Sequence, residues 1–131
     1  MQYAMLIYMD EQRWDDQPAT ARKQIEDETT AYTKKYVDSG HIVAGAALRG
    51  AWSATTLRKR NGELLMDGPF TESKEVIAGF QLMECKDLDE AIAVGGAFPG
   101  LEAGLRCEVR PVADGCGELR GDPSARAALQ P

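Results

Sequence analysis

Hydrophobic residues fill both phases of the alternation from Gln2 to Met9: Tyr3, Met5, Ile7 and Met9 in one, Ala4, Leu6 and Tyr8 in the other. A strand that is apolar on both faces has no solvent side, so the pattern predicts a central strand covered above and below. Asp10 to Gln17 is polar and turn-like, with Asp15 or Asp16 as the expected N-cap of a helix and Pro18 in its first turn. Ala21, Ile25, Thr29, Tyr32 and Tyr36 then recur at spacings of three and four, which puts them on one helical stripe; Gly40 ends the helix. The charged remainder of that segment is a solvated face.

Ile42 to Leu48 is small and apolar, a second strand in which Gly45 permits a bulge or the close approach of another backbone. Thr55 to Arg58 and Glu63 to Met66 flank Arg60-Asn61-Gly62, and Asn-Gly favours a two-residue hairpin because both turn positions need positive φ. Val76 to Glu84 alternates as another strand, with Val76, Ala78, Phe80 and Leu82 expected on one face and Ile77, Gly79, Gln81 and Met83 on the other. Asp87-Leu88-Asp89-Glu90 has the spacing of a capping box and opens a second helix, which Gly95-Gly96 and Phe98-Pro99-Gly100 end early. Arg106 to Val112 is the last strand. The order strand, helix, strand, hairpin, strand, helix, strand predicts a ferredoxin-like split βαβ sandwich of the α+β class with an inserted hairpin. Both helices then lie on one sheet face. The other face carries Tyr, Met and Ile residues and is expected to close sheet on sheet in a homodimer.

Length and charge narrow the function classes. A chain of 131 residues suits one domain with its own core, placed here at residues 1–112, with a Gly-, Ala- and Pro-rich tail at 113–131 that is flexible or packed on a neighbour. With 15 Lys+Arg against 21 Asp+Glu and no basic run, the chain lacks a phosphate-tracking surface, so nucleic acid is not an expected partner. No apolar run approaches a membrane span, and Met1 leads directly into a strand without a signal-peptide pattern, so a cytoplasmic location is expected. Cys85, Cys107 and Cys116 are odd in number and lack CxxC spacing, which fits reduced, structural thiols. His41 is the one histidine. A zinc site with N/S ligands is therefore not expected, whereas an all-carboxylate site for a hard cation stays open.

Chemistry-bearing residues concentrate in Met66 to Glu75, where Asp67-Gly68-Pro69-Phe70 is followed by Glu72, Lys74 and Glu75. These residues, with Tyr3 to Tyr8, Ala54-Thr55-Thr56, Gly79-Phe80, Leu88-Asp89-Glu90-Ala91 and the closing Glu108 to Val112, resemble the DGPF family, a branch of the YCII-related proteins, in the expected order. The resemblance implies a ferredoxin-like subunit that dimerises into an α+β barrel, with a pocket near the motif and no dedicated cofactor. Some relatives in the wider group resemble hydrolytic or dehalogenating enzymes acting on aromatic rings, using a histidine–aspartate pair. Ala21 to Ser39 contains no histidine, so that pair does not carry over. DGPF proteins are also often encoded beside extracytoplasmic-function sigma factors, which implies a partner pathway of the sensing kind.

Asp67 has two readings. It holds the turn by accepting backbone N–H bonds, or it is a carboxylate shielded by Phe70 and a partner subunit, with a raised pKa suited to acid–base catalysis. Lys74 is the expected anion contact and Glu75 the residue that fixes it; as the bland alternative, Glu72, Lys74 and Glu75 form a solvated edge. Arg106, Glu108 and Arg110 share a face, either as an intersubunit salt-bridge row or, through Arg110, as part of a clamp for an anion. Tyr8 and Tyr32 are core or interface rings, with Tyr8 also a candidate at a pocket edge; Trp14 and Trp52 lie in loops and are candidates for binding. His41 is expected to satisfy the preceding helix end. Two functions follow. One is a dimer binding a small anionic or aromatic molecule near Asp67, with hydrolase, lyase or isomerase chemistry; the other is a non-catalytic ligand-sensing or regulatory protein.

Overall fold

The computed structural model describes residues 1–70 and 73–115. Glu72, Cys116 and the tail from 116 onward, all named above, lie outside the described residues. The chain runs β1 (Gln2–Asp10), α1 (Glu11–Asp15), α2 (Ala19–Asp38), β2 (Ile42–Ala47), β3 (Thr56–Arg60), β4 (Glu63–Asp67), β5 (Glu75–Glu84), α3 (Leu88–Gly96) and β6 (Arg106–Pro111), with short 3-10 turns at Ala51–Ser53 and Pro99–Leu101. Four strands form one antiparallel sheet in the order β2-β5-β1-β6, and β3-β4 is a separate hairpin. This is a mixed α+β architecture. The doubly apolar first strand occupies an interior position between β5 and β6, as its pattern requires.

One face of the sheet makes the core. Tyr3 pairs with Met83 and Met5 with both Gln81 and Val109, so these side chains share a face. Tyr3, Met5 and Met83 are fully buried, and Ile42, Cys85, Tyr32 of α2, Ala91 and Val94 of α3, and Phe98 complete the cluster. The helical stripe read from the sequence is the one that turns inward, with Tyr32 buried and Ala21, Ile25, Thr29 and Tyr36 partly so. At Gly45 a Cβ would come within 2.7 Å of the Phe80 carbonyl oxygen, so the close approach of β2 to β5 needs a glycine there. Asn61 (φ 53°) and Gly62 (φ 78°) form the left-handed hairpin turn that the sequence calls for.

Two local expectations are corrected. The segment after β1 is a helix rather than a turn: Asp10 caps α1, accepting a hydrogen bond from the Arg13 N–H at 3.2 Å, and neither Asp15 nor Asp16 caps α2. Pro18 is itself the N-cap of α2, with no side-chain cap, because its ring fixes φ at −56° just before the helix begins. In β5 the strict alternation breaks. Ile7 pairs with Gly79 but Tyr8 with Ile77, which leaves Ala78 as a bulge and transfers Ile77 to the same face as Phe80 and Leu82. The Ala78 carbonyl accepts a hydrogen bond from the Leu48 N–H at 2.8 Å, anchoring the bulge to the end of β2.

Candidate functional site

Small residues create an apolar cavity. Beyond Ile42, β2 continues Val43-Ala44-Gly45-Ala46-Ala47, and α2 buries only Tyr32, so helix and strand edge do not close on each other. The gap is a cavity of about 580 Å³, walled by Ile7, Ile25, Thr33, Val37 and Phe98 and reaching Gln81. That volume falls within the range of small-molecule sites, roughly 300–1,000 Å³. Thr29 and Thr30 also line it, but their hydroxyls donate to the Ile25 and Glu26 carbonyls of their own helix. Trp14, a sequence candidate for binding, is part of this wall.

Gln81 is the one buried polar side chain among the described residues. Its Nε2 donates to the Tyr32 hydroxyl at 2.8 Å, and that hydroxyl donates to the Val94 carbonyl at 2.9 Å, so β5, α2 and α3 are joined through one relay. Burial pushes the Tyr32 phenol above its usual pKa, opposed by the Gln81 hydrogen bond, and Tyr32 remains a neutral donor. Sequence reasoning placed Gln81 on the correct face but did not single it out. The signal was there: a polar amide in the phase otherwise occupied by Gly79 and Met83.

The motif turn forms a second, more polar hollow of about 730 Å³, lined by Asp10, Glu11, Arg13, Pro69, Lys74 and Val76 among others. Lys74 is therefore at a pocket. Asp67 lines neither cavity. Its Oδ2 lies 2.9 Å from Arg58 Nη2 across the hairpin, and both side chains are more than half exposed. Phe70 is 82% exposed and gives the carboxylate no cover within one chain. Trp52, 80% exposed, stands beside Gly50, next to the Ala51 N–H that donates to Glu11 Oε1 at 3.0 Å.

Tyr8, Arg110 and Glu75 belong to the helix-free sheet face. Tyr8 and Arg110 both donate to Glu108 Oε2, each at 3.3 Å, and Arg106 Nε lies 3.3 Å from Glu75 Oε1. Burial raises the Tyr8 phenol pKa, and neighbouring Glu108 adds to the rise. These ion pairs lie within one chain, whereas the sequence reading was of a row between subunits, and both arginines already face carboxylates. The five sequence-selected residues separate into three places: Asp67 on the hairpin, Lys74 at the motif hollow, and Tyr8, Glu75 and Arg110 on the open face.

His41 satisfies the end of α2, as expected: its N–H donates to the Tyr36 carbonyl at 2.9 Å, Nδ1 is 2.7 Å from Ser39 Oγ, and Nε2 is 3.3 Å from Glu90 Oε1. Burial pushes the Cys107 thiol up to about 11 and raises that of Cys85, with Glu90 and Glu84 adding to the latter, so both stay protonated and poorly nucleophilic. Among the described residues no three His, Cys, Asp or Glu side chains converge as a metal site requires, and no helix is long and apolar enough to cross a membrane.

An uncharacterised protein of Rhizobium meliloti is 39% identical over 93 residues, covering 70% of this chain and 75% of that one. A solved structure, the 5-chloro-2-hydroxyhydroquinone dehydrochlorinase of Burkholderia phenoliruptrix in complex with 2,5-dihydroxybenzoquinone, is 20% identical. It matches with a TM-score of 0.49, covering 88% of this chain and 96% of the enzyme. The YCII-related domain profile matches residues 1–114, and the chain belongs to that family.

Proposed function

We propose that this protein is a homodimer that binds a small molecule in the cavity between α2 and β2. The observation that carries the reading is the cavity itself: a ligand-sized apolar space with a buried hydrogen-bonding side chain at its inner end. Glu26 is the one ionisable residue lining it among the described residues, so no nucleophile–base pair faces a bound molecule. That favours binding or sensing over turnover, in keeping with a regulatory role near an extracytoplasmic-function sigma factor. The catalytic alternative places hydrolase, lyase or isomerase chemistry on Asp67. It requires a second subunit to cover the motif turn, because within one chain the carboxylate is exposed and held by Arg58.

Dimerisation rests on the helix-free face. Leu6, Ile77, Phe80 and Leu82 form its centre, Phe80 and Ile77 are exposed, and two such sheets facing each other would make the α+β barrel. The binding reading is tested with Thr33→Trp, which puts an indole into the cavity from an exposed position on α2. Small molecules that raise the melting temperature of the native protein should lose that effect in a variant that itself melts normally. Equal shifts in both proteins would place the ligand elsewhere.

A further inference from the structure

The inner end of the cavity has a fixed hydrogen-bond polarity. Tyr32 has one hydroxyl hydrogen, and the Val94 carbonyl 2.9 Å away can only accept, so that hydrogen points to Val94. The Tyr32 oxygen must then accept from Gln81, which turns the amide nitrogen toward it at 2.8 Å. The same nitrogen faces Met5 Sδ and Met83 Sδ, both weak acceptors at 3.7 Å, which agrees with that orientation. The amide oxygen is left on the other side. Gln81 is only 7% exposed and lines the cavity, and its Oε1 accepts no hydrogen bond among the described residues. Nor is that oxygen sealed off, because the buried side-chain polar atom without a partner is Arg22 Nε.

We infer that Gln81 Oε1 receives a hydrogen bond from the bound molecule, and that the ligand class is a neutral, mainly apolar compound carrying one hydroxyl or N–H donor. This rests on the reading that the cavity is the ligand site, and it selects the aromatic over the anionic half of the sequence expectation. A carboxylate or phosphate would meet an acceptor oxygen at the inner end and Glu26 in the wall, with no Lys or Arg among the described residues lining the space to offset its desolvation. An apolar molecule without a donor would fill the same volume and leave the oxygen unpaired.

The experiment compares three probes of nearly equal size, 2-naphthol, its methyl ether and 2-naphthoate, by calorimetric titration of the native protein at neutral pH. The naphthol should bind at least about tenfold more tightly than either analogue, the usual effect of leaving a buried acceptor unpaired. Gln81→Met, which keeps the side-chain length and removes the acceptor, should bring naphthol and ether to the same affinity. The native comparison needs no variant, so a poorly folded Gln81→Met leaves the test intact. Equal native affinities for naphthol and ether, both abolished by Thr33→Trp, would overturn the donor requirement while leaving the cavity as the site. Binding insensitive to Thr33→Trp would overturn the site reading, and failure of all three probes to bind at millimolar concentration would overturn the ligand class.

Discussion

At the scale of single residues, Tyr32 links packing to the site. It is the inward residue of α2, stacks edge-on with Phe98 at 5.8 Å between ring centres, and connects Gln81 to Val94 through its hydroxyl. Tyr32→Phe keeps the ring and removes the oxygen, which strands one buried donor, the Gln81 amide, and leaves the Val94 carbonyl with only the Ala97 N–H at 3.3 Å. The expected cost is about 1–3 kcal/mol of stability, read from urea unfolding, with the helix content unchanged. No measurable loss would mean that the relay is not formed in solution. Tyr32 was legible in the sequence from its stripe. Gln81 was harder to see because periodicity reports which face a residue occupies and not which partner meets it there. Asp67 shows a different limit: a dense cluster of ionisable residues draws attention to a turn, yet proximity along the chain does not by itself bring burial, and within one chain its partner, Arg58, comes from the facing strand.

At the scale of elements, strand phases and helix ends were readable wherever local chemistry fixed them. Asp87 accepts from the Glu90 N–H at 2.9 Å, as the capping spacing predicts, although the Glu90 carboxylate takes the Lys86 N–H rather than that of the cap residue. The bulge at Ala78 was not readable, since an extra residue in a strand leaves composition and apolarity unchanged and appears only once the partner's register is known. Helix α1 was missed because a five-residue segment with Trp14 as its one apolar residue carries no periodic stripe. The β3-β4 hairpin pairs mainly with itself and exposes Leu57, Leu64 and Met66, so its local stability should fall below that of the main sheet. Gly62→Ala puts a Cβ at φ 78°, a strain of about 1 kcal/mol or more. Hydrogen exchange should then speed up across 56–67 while β1 and β5 keep their protection and the melting temperature stays the same. A global drop in stability would show that the hairpin is integral to the core.

At the scale of the whole molecule, the sheet order and the one-sided core follow from the order of elements, which was plain in the sequence. The cavity was not, because its size depends on how far α2 stands from a strand of small residues. The helix-free face should hold two copies together, and Phe80→Glu places a charge at its centre, in the strand phase opposite to Met5 and Met83. Sedimentation velocity should give a dimer for the native chain and a folded monomer for the variant; a native monomer would remove the barrel arrangement. The site itself is tested most directly by backbone amide NMR during titration with 2-naphthol. Shifts should concentrate in Ile25 to Val37, Ile42 to Ala47 and Ala78 to Gln81, the walls of the cavity. Shifts confined to Asp10 to Arg13 and Asp67 to Val76 would contradict this and assign binding to the motif turn.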